Sequence, residues 1–145
     1  MKLLLDAHVS IWWFNEPEKL SPKASTLLAD DNNELLLSAA GVWEMQIKIQ
    51  SGKLKFSVPL RELAESQEKT NGVKVLPAGL EHVLSLDALP SHHKDPFDRL
   101  LVAQANVESA FLVSGDAVFS SYPVKLLGEG AGGGLQERLS DGVYA

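Results

Sequence analysis

Five short apolar runs recur along this chain, each separated from the next by helical sequence. They are "KLLL" (residues 2–5), "ELLLS" (34–38), "VKVLP" (73–77), "AFLVS" (110–114) and "VKLL" (124–127). The runs are nearly continuous in apolar residues rather than alternating. Such strands must be covered on both faces, which is the mark of a parallel sheet between helical layers. The pattern therefore implies an α/β fold: a three-layer α/β/α sandwich around a central parallel sheet of four to five strands.

The intervening stretches carry recognisable helix signals. "HVSIWWF" and "SPKASTLLADD" read as two helices joined by "NEPEKL", and Ser21 followed by Pro22 supplies a capping hydroxyl and then a residue needing no donor. "AAGVWEMQIKIQS" reads as a helix closed by Gly52. In "PLRELAESQEKT" Leu60, Leu63, Ala64 and Gln67 share one face of an amphipathic helix. "AGLEHVLSLDAL" is another helix. "HHKDPFDRLLVAQA" opens one that runs to about Ser109, and "DAVFSSY" reads as a short one.

A length of 145 residues fits one domain with a closed core. We find no internal repeat. The tail "GEGAGGGLQERLSDGVYA" breaks the pattern, so residues 1–127 read as the folded domain and 128–145 as a glycine-rich, flexible or partner-dependent extension. The chain has no cysteine, which excludes disulfides and thiolate metal sites. Asp6 and His8 interrupt the N-terminal apolar run, and no stretch approaches the ~20 apolar residues of a membrane helix. A soluble, cytoplasmic protein is the expectation. A net charge of −6 argues against a broad basic surface for nucleic acid, but not against a nuclease whose carboxylates are neutralised by cations.

Acidic residues fall where an open parallel sheet binds ligands, outside the carboxyl ends of its strands. Asp6 follows the first strand, and Asp116 lies two residues past the fourth. Glu44 is a turn and a half into the helix after the second, and Asp98 is in the first turn of the helix leading to the fourth. Right-handed crossovers would bring Asp6, Glu44 and Asp116 to one rim, and Asp98 joins them if its helix begins there. Taken singly, each has a structural explanation. Asp6 and Asp116 are placed to cap helices, Glu44 to pair with Lys48 four residues on, and Asp95, Pro96 and Asp98 to start a helix together. Asp98, however, heads a stripe of Leu101, Val102 and Ala105, where a carboxylate needs a partner or a metal. Converging carboxylates repel unless a cation holds them, and oxygen donors select Mg²⁺ or Mn²⁺ over zinc. That chemistry suits metal-assisted phosphoryl transfer.

The stretches "LLLDAHVSIWW", "LLSAAGVWEMQIKIQSGKL", "HHKDPFDRLLVAQA" and "LVSGDAVFSSYPVKLL" together resemble the successive motifs of PIN-domain ribonucleases. The nearest branch is the VapC-like toxins of type II toxin–antitoxin pairs. The resemblance covers residues 2 to about 127. It implies a metal-dependent endoribonuclease using Mg²⁺ or Mn²⁺, with an acidic quartet at Asp6, Glu44, Asp98 and Asp116. Ser114 falls where the family keeps a small hydroxyl, and Asp95 is common in the branch without being a usual ligand. Further implications are an RNA substrate, a homodimer and inhibition by a cognate antitoxin protein. The chain departs from the pattern at Ala7 and Gly41, where relatives commonly carry Thr and Ser. A weakened module that binds RNA or protein without efficient cleavage is the alternative. A metal phosphatase would want a second Asp where "DAH" has His8.

Other side chains remain open at this level. His8 stands near the metal or RNA, or packs as a helix-start histidine. Arg99 meets a phosphate or lies on the helix exterior. Lys48 pairs with Glu44 or contacts phosphate. Trp12, Trp13 and Trp43 fit core and dimer packing better than base stacking, and His92 and His93 fit a solvated loop.

Overall fold

A computed structural model describes residues 1–90, 95–129, 135–139 and 143–144. Five strands run parallel: β1 (Lys2–Leu5), β2 (Glu34–Ser38), β3 (Val73–Leu76), β4 (Phe111–Ser114) and β5 (Lys125–Glu129). Their spatial order is β3-β2-β1-β4-β5, so β1 is central. Leu3 pairs with Leu35 on one side and with Phe111 on the other.

Burial on both faces explains the continuous apolar runs. Leu3, Leu5, Leu35, Leu37, Val113 and Leu127 face one core, which also takes Val9, Ile11, Ala24, Leu28 and Met45. Leu4, Leu36, Leu112 and Leu126 face the other, with Leu101, Val102, Ala105, Phe119 and Tyr122. Successive strand residues thus alternate between the two layers, as the pleat requires. Helices α1 (Ala7–Asn15), α2 (Pro22–Ala29) and α3 (Ala39–Gln50) supply the first layer, and α6 (Pro96–Val107) belongs to the second. Between them come α4 (Leu60–Asn71) and α5 (Leu80–Leu84). The three-layer α/β/α expectation holds, with strand and helix positions close to those read from the sequence.

Local signals account for the helix ends. Ser21 Oγ accepts from the Ala24 N–H at 3.0 Å with Pro22 in the first turn. α4 stops at Gly72, whose φ of +67° is left-handed and costs glycine little. Gly52, also left-handed, lies just beyond α3.

The C-terminal expectation needs revision where residues are described. Leu135–Leu139 and Val143–Tyr144 are strands, β6 and β7, added antiparallel to β5 and giving a seven-stranded sheet. "LQERL" pairs with what is otherwise an open edge at β5, although its two leucines flank three polar residues and show no strand alternation. Residues 130–134, 140–142 and 145 lie outside the described set, as do His92 and His93. Among the described residues, no helix is long and apolar enough to cross a membrane.

Candidate active site

The chain winds from β1 outward to β2 and β3, then returns to the other side of β1 for β4. A crevice opens where such a sheet changes direction, outside the strand ends. Here it is a cleft of about 150 Å³ lined by Asp6, Ala7, His8, Ala40, Gly41, Glu44, Asp95, Phe97, Asp98, Leu101 and Asp116. All four carboxylates of the expected quartet border it. Two larger hollows, of about 480 and 620 Å³, lie elsewhere and carry one carboxylate and none. The smaller cleft is the chemically equipped one.

Asp6 is held from both of its oxygens. Its backbone N–H continues the ladder to the Val113 carbonyl at 3.1 Å. As the N-cap of α1, its Oδ1 accepts from the N–H groups of His8 at 2.6 Å and Val9 at 3.2 Å. Its Oδ2 accepts a short hydrogen bond from the Ser114 hydroxyl. That same Ser114 Oγ accepts from the Asp116 N–H at 3.1 Å. One buried hydroxyl at the end of β4 therefore ties together the two acids flanking the switch point. Asp116 is in turn the cap of the 3-10 turn Ala117–Ser121, with Oδ1 accepting from the Val118 N–H at 3.0 Å. Capping and lining the cleft are not alternatives here, because each of these caps uses Oδ1 while both side chains border the cleft.

α3 starts at Ser38, whose Oγ accepts from the Ala40 N–H. Its buried face is Ala40, Gly41 and Met45, which places Glu44 beside the cleft. Lys48 Nζ lies 3.8 Å from Glu44 Oε2. α6 starts at Asp95, whose Oδ1 accepts from the Phe97 N–H at 2.9 Å and the Asp98 N–H at 3.4 Å. This fixes the first turn, and Asp98 enters the cleft wall from it. Asp95 lines the cleft as well, which its capping role alone does not announce.

The electrostatics follow from this crowding. Burial pushes the Asp6 carboxyl above the usual carboxylate range, although the Ser114 and Val9 hydrogen bonds and nearby His8 pull it down. Burial likewise raises Glu44, and Asp98, Asp6 and Asp95 add to the rise against the opposing pull of Lys48. Carboxylates that hinder one another's ionisation in a small cleft are what a hard divalent cation relieves. Among the described residues, no group of three or more His, Asp or Glu side chains closes into a metal cage. An all-oxygen wall of this openness suits an ion that keeps several waters, as Mg²⁺ does.

The remaining side chains separate clearly. His8 borders the cleft, its ring edge-on to Trp12 at 6.4 Å. Arg99 is not in the cleft wall: its Nη1 donates to the Pro90 carbonyl at 2.7 Å and its Nη2 to that of Leu86 at 3.5 Å. It braces the segment before α6. Trp12 and Trp13 pack on the first core, but Trp43 is 62% exposed and stands edge-on to Phe97 at 5.0 Å. The three tryptophans thus part company, because the buried face of α3 is taken by small residues and Met45.

Comparisons with known proteins bear on this cleft and fold. The PIN domain family model matches residues 3–125. Ribonuclease VapC22 of Mycobacterium tuberculosis is 30% identical over 121 residues, covering 83% of this chain and 91% of that protein. The crystal structure of VapBC2 from Rickettsia felis bound to a DNA fragment from its promoter superposes with a TM-score of 0.68. It has 18% identity and covers 89% of this chain and 99% of the other. VapBC-1 of nontypeable Haemophilus influenzae gives a TM-score of 0.52 at 18% identity, covering 78% and 85%. With every residue of the cleft wall inside the matched span, this chain belongs to the PIN-domain family, in its VapC-like branch.

Proposed function

We propose that this protein is a Mg²⁺- or Mn²⁺-dependent endoribonuclease and the toxin of a toxin–antitoxin pair. The observation that carries the reading is the meeting of Asp6, Glu44, Asp98 and Asp116 in one cleft at the sheet's switch point. The name of the curated ribonuclease relative supports the substrate class.

In this reading the four carboxylates would hold the cation, which when bound would supply an activated water and charge stabilisation for the departing oxygen. Asp6 is presented rigidly by two backbone donors and the Ser114 hydroxyl, so its ligand geometry is set before substrate arrives. Ser114 donates its Oγ proton to Asp6 Oδ2 and pulls that carboxyl down against the rise that burial imposes. Lys48 screens Glu44 in the same sense. His8 borders the entrance, where it can meet RNA.

The partners follow from the family: RNA as substrate, an antitoxin as inhibitor, and a second copy of the chain. Leu80, Val83 and Leu84 expose an apolar face on α5 that suits a homodimer. We place the protein in the cytoplasm, where RNA is available. The test is incubation of purified protein with total host RNA and Mg²⁺ or Mn²⁺. Cleavage that stops on chelation, and in Asp98→Asn, is expected; a folded, metal-saturated preparation that leaves all host RNA intact refutes the reading.

A second reading rests on Ala7 and Gly41, both in the cleft wall without hydroxyls. They point to a weakened module that binds RNA without efficient cutting. Tight RNA binding with no cleavage at any metal concentration would favour it.

A further inference from the structure

Trp43 is the most exposed aromatic side chain among the described residues, at 62%, on the helix that also carries Glu44. It is not loose: its ring meets Phe97 edge-on at 5.0 Å and an interplanar angle of 68°. Phe97 is itself part of the acidic cleft wall, next to Asp98. An aromatic shelf therefore runs without a break from the cleft onto the exposed side of α3. Its first member lines the cleft, and its second, Trp43, is largely exposed.

The charge of the chain makes such a shelf useful. Proteins usually gain most of their nucleic-acid affinity from Lys and Arg on phosphates. This chain carries 13 such residues against 19 acidic ones, and Lys48, on the same helix, is engaged with Glu44. Binding energy from another source is needed, and stacking an unpaired base on an aromatic face is sequence-tolerant and independent of charge. We propose that Trp43, buttressed by Phe97, is the stacking platform for an unpaired base next to the phosphate in the acidic cleft. This rests on the nuclease reading above and names the substrate feature it requires: a single-stranded or looped-out nucleotide at the cut site.

The test uses the full chain with Asp98→Asn as a cleavage-silent background, Mg²⁺ present, and single-stranded oligo(A) and oligo(U) as probes. Trp43→Ala is expected to weaken binding roughly 5- to 150-fold, the range for a lost base–aromatic stack. Trp43→Phe and Trp43→Tyr recover most of the affinity, while Trp43→Leu, apolar but without a π-face, behaves like alanine. In the cleaving protein, Trp43→Ala raises KM more than it lowers kcat. The ring-retaining variants keep the test decisive if alanine perturbs α3. Equal affinity in Trp43→Ala, or rescue by leucine as good as by phenylalanine, overturns the proposal. So does dissociation of an oligomer on Trp43→Ala with RNA affinity intact, which would make Trp43 an interface residue. If the parent cuts RNA and Trp43→Ala matches it, this inference alone fails. If the parent neither binds nor cuts RNA, the nuclease reading fails with it.

Discussion

Replacing Ser114 with alanine tests how the cleft is held together. The side chain is buried, so water cannot substitute for the lost hydroxyl. Two hydrogen bonds disappear at once: the one donated to Asp6 Oδ2 and the one accepted from the Asp116 N–H. A hydrogen bond to a charged group contributes about 1.5–3 kcal/mol and a neutral one about 1. A total near 2–3 kcal/mol is expected, allowing for partial relaxation. With a urea m-value of about 2 kcal/mol/M, the midpoint should fall by ~1 M. The same substitution removes the interaction that holds Asp6 down against burial, so its carboxyl rises further and cation binding weakens at a given pH. The decisive assay is a double-mutant cycle with Asp6→Asn, read by urea unfolding without metal. In that background both bonds are neutral, and the cost of Ser114→Ala should drop to about 1.5 kcal/mol. A cost below about 0.5 kcal/mol in the parent, or an equal cost in both backgrounds, would refute the reasoning.

Other perturbations follow from the same geometry. The folded pKa values of Asp6 and Glu44 lie above their ordinary 3.8 and 4.5. Their contribution to stability is therefore full below those values and lost as pH rises through the folded ones. Metal-free protein should thus gain melting temperature as pH falls through those folded values, whereas Mg²⁺ should stabilise it most above them; the opposite trend in a thermal-shift series would contradict the shifts. Asp6→Asn keeps a good helix cap while removing a buried charge, so it should stabilise metal-free protein at pH 8 by ~1 kcal/mol while abolishing cleavage. Chemical denaturation checks the first effect and an RNA gel the second. Arg99→Ala removes donors to the Pro90 and Leu86 carbonyls and should cost about 1–2 kcal/mol in stability. Its cleavage rate, measured below the melting transition, should stay within a few-fold of the parent. Gly41→Ser restores a hydroxyl to the cleft wall, and its Cβ would meet Leu37 Cδ1 at an unstrained 3.5 Å. Single-turnover kinetics should show faster cleavage, with α3 stabilised by roughly 0.5 kcal/mol.

Much of this was legible in the sequence because the deciding interactions are local. The apolar runs state that both faces of each strand are covered, and Leu3, Leu4 and Leu5 do face alternate cores. Asp95 before Pro96 marks a helix start that the backbone donors bear out. Long-range partnerships were less visible. The bond between Ser114 and Asp6 joins residues 108 positions apart, and His82 Nε2 meets Glu108 Oε2 at 2.9 Å across 26. Nothing local in "AGLEHVLSL" distinguishes that buried histidine from an exposed one. Arg99 illustrates a different limit: a helix position defines a direction, but the carbonyls it reaches belong to the Leu86–Pro90 segment, whose path is tertiary. Trp43, read with the other tryptophans as core or dimer packing, is not in the core, and only the packing of α3 on its small residues and Met45 shows it. Gly128, Gly130 and Gly132–Gly134 suggested an unstructured tail, and "LQERL", two leucines around three polar residues, carries no alternation that marks it as a strand.

The central claim is that Asp6, Glu44, Asp98 and Asp116 together hold the cation that cleaves RNA. Its most direct test is a Mn²⁺ titration of the parent and of Asp6→Asn, Glu44→Gln, Asp98→Asn and Asp116→Asn, with RNA cleavage rates measured on the same folded samples. Glu65→Gln, on the exposed side of α4, serves as the control. A shared site predicts that Mn²⁺ affinity and cleavage fall together in all four variants and in neither respect for the control. A folded Asp98→Asn that binds Mn²⁺ and cuts RNA like the parent would contradict it.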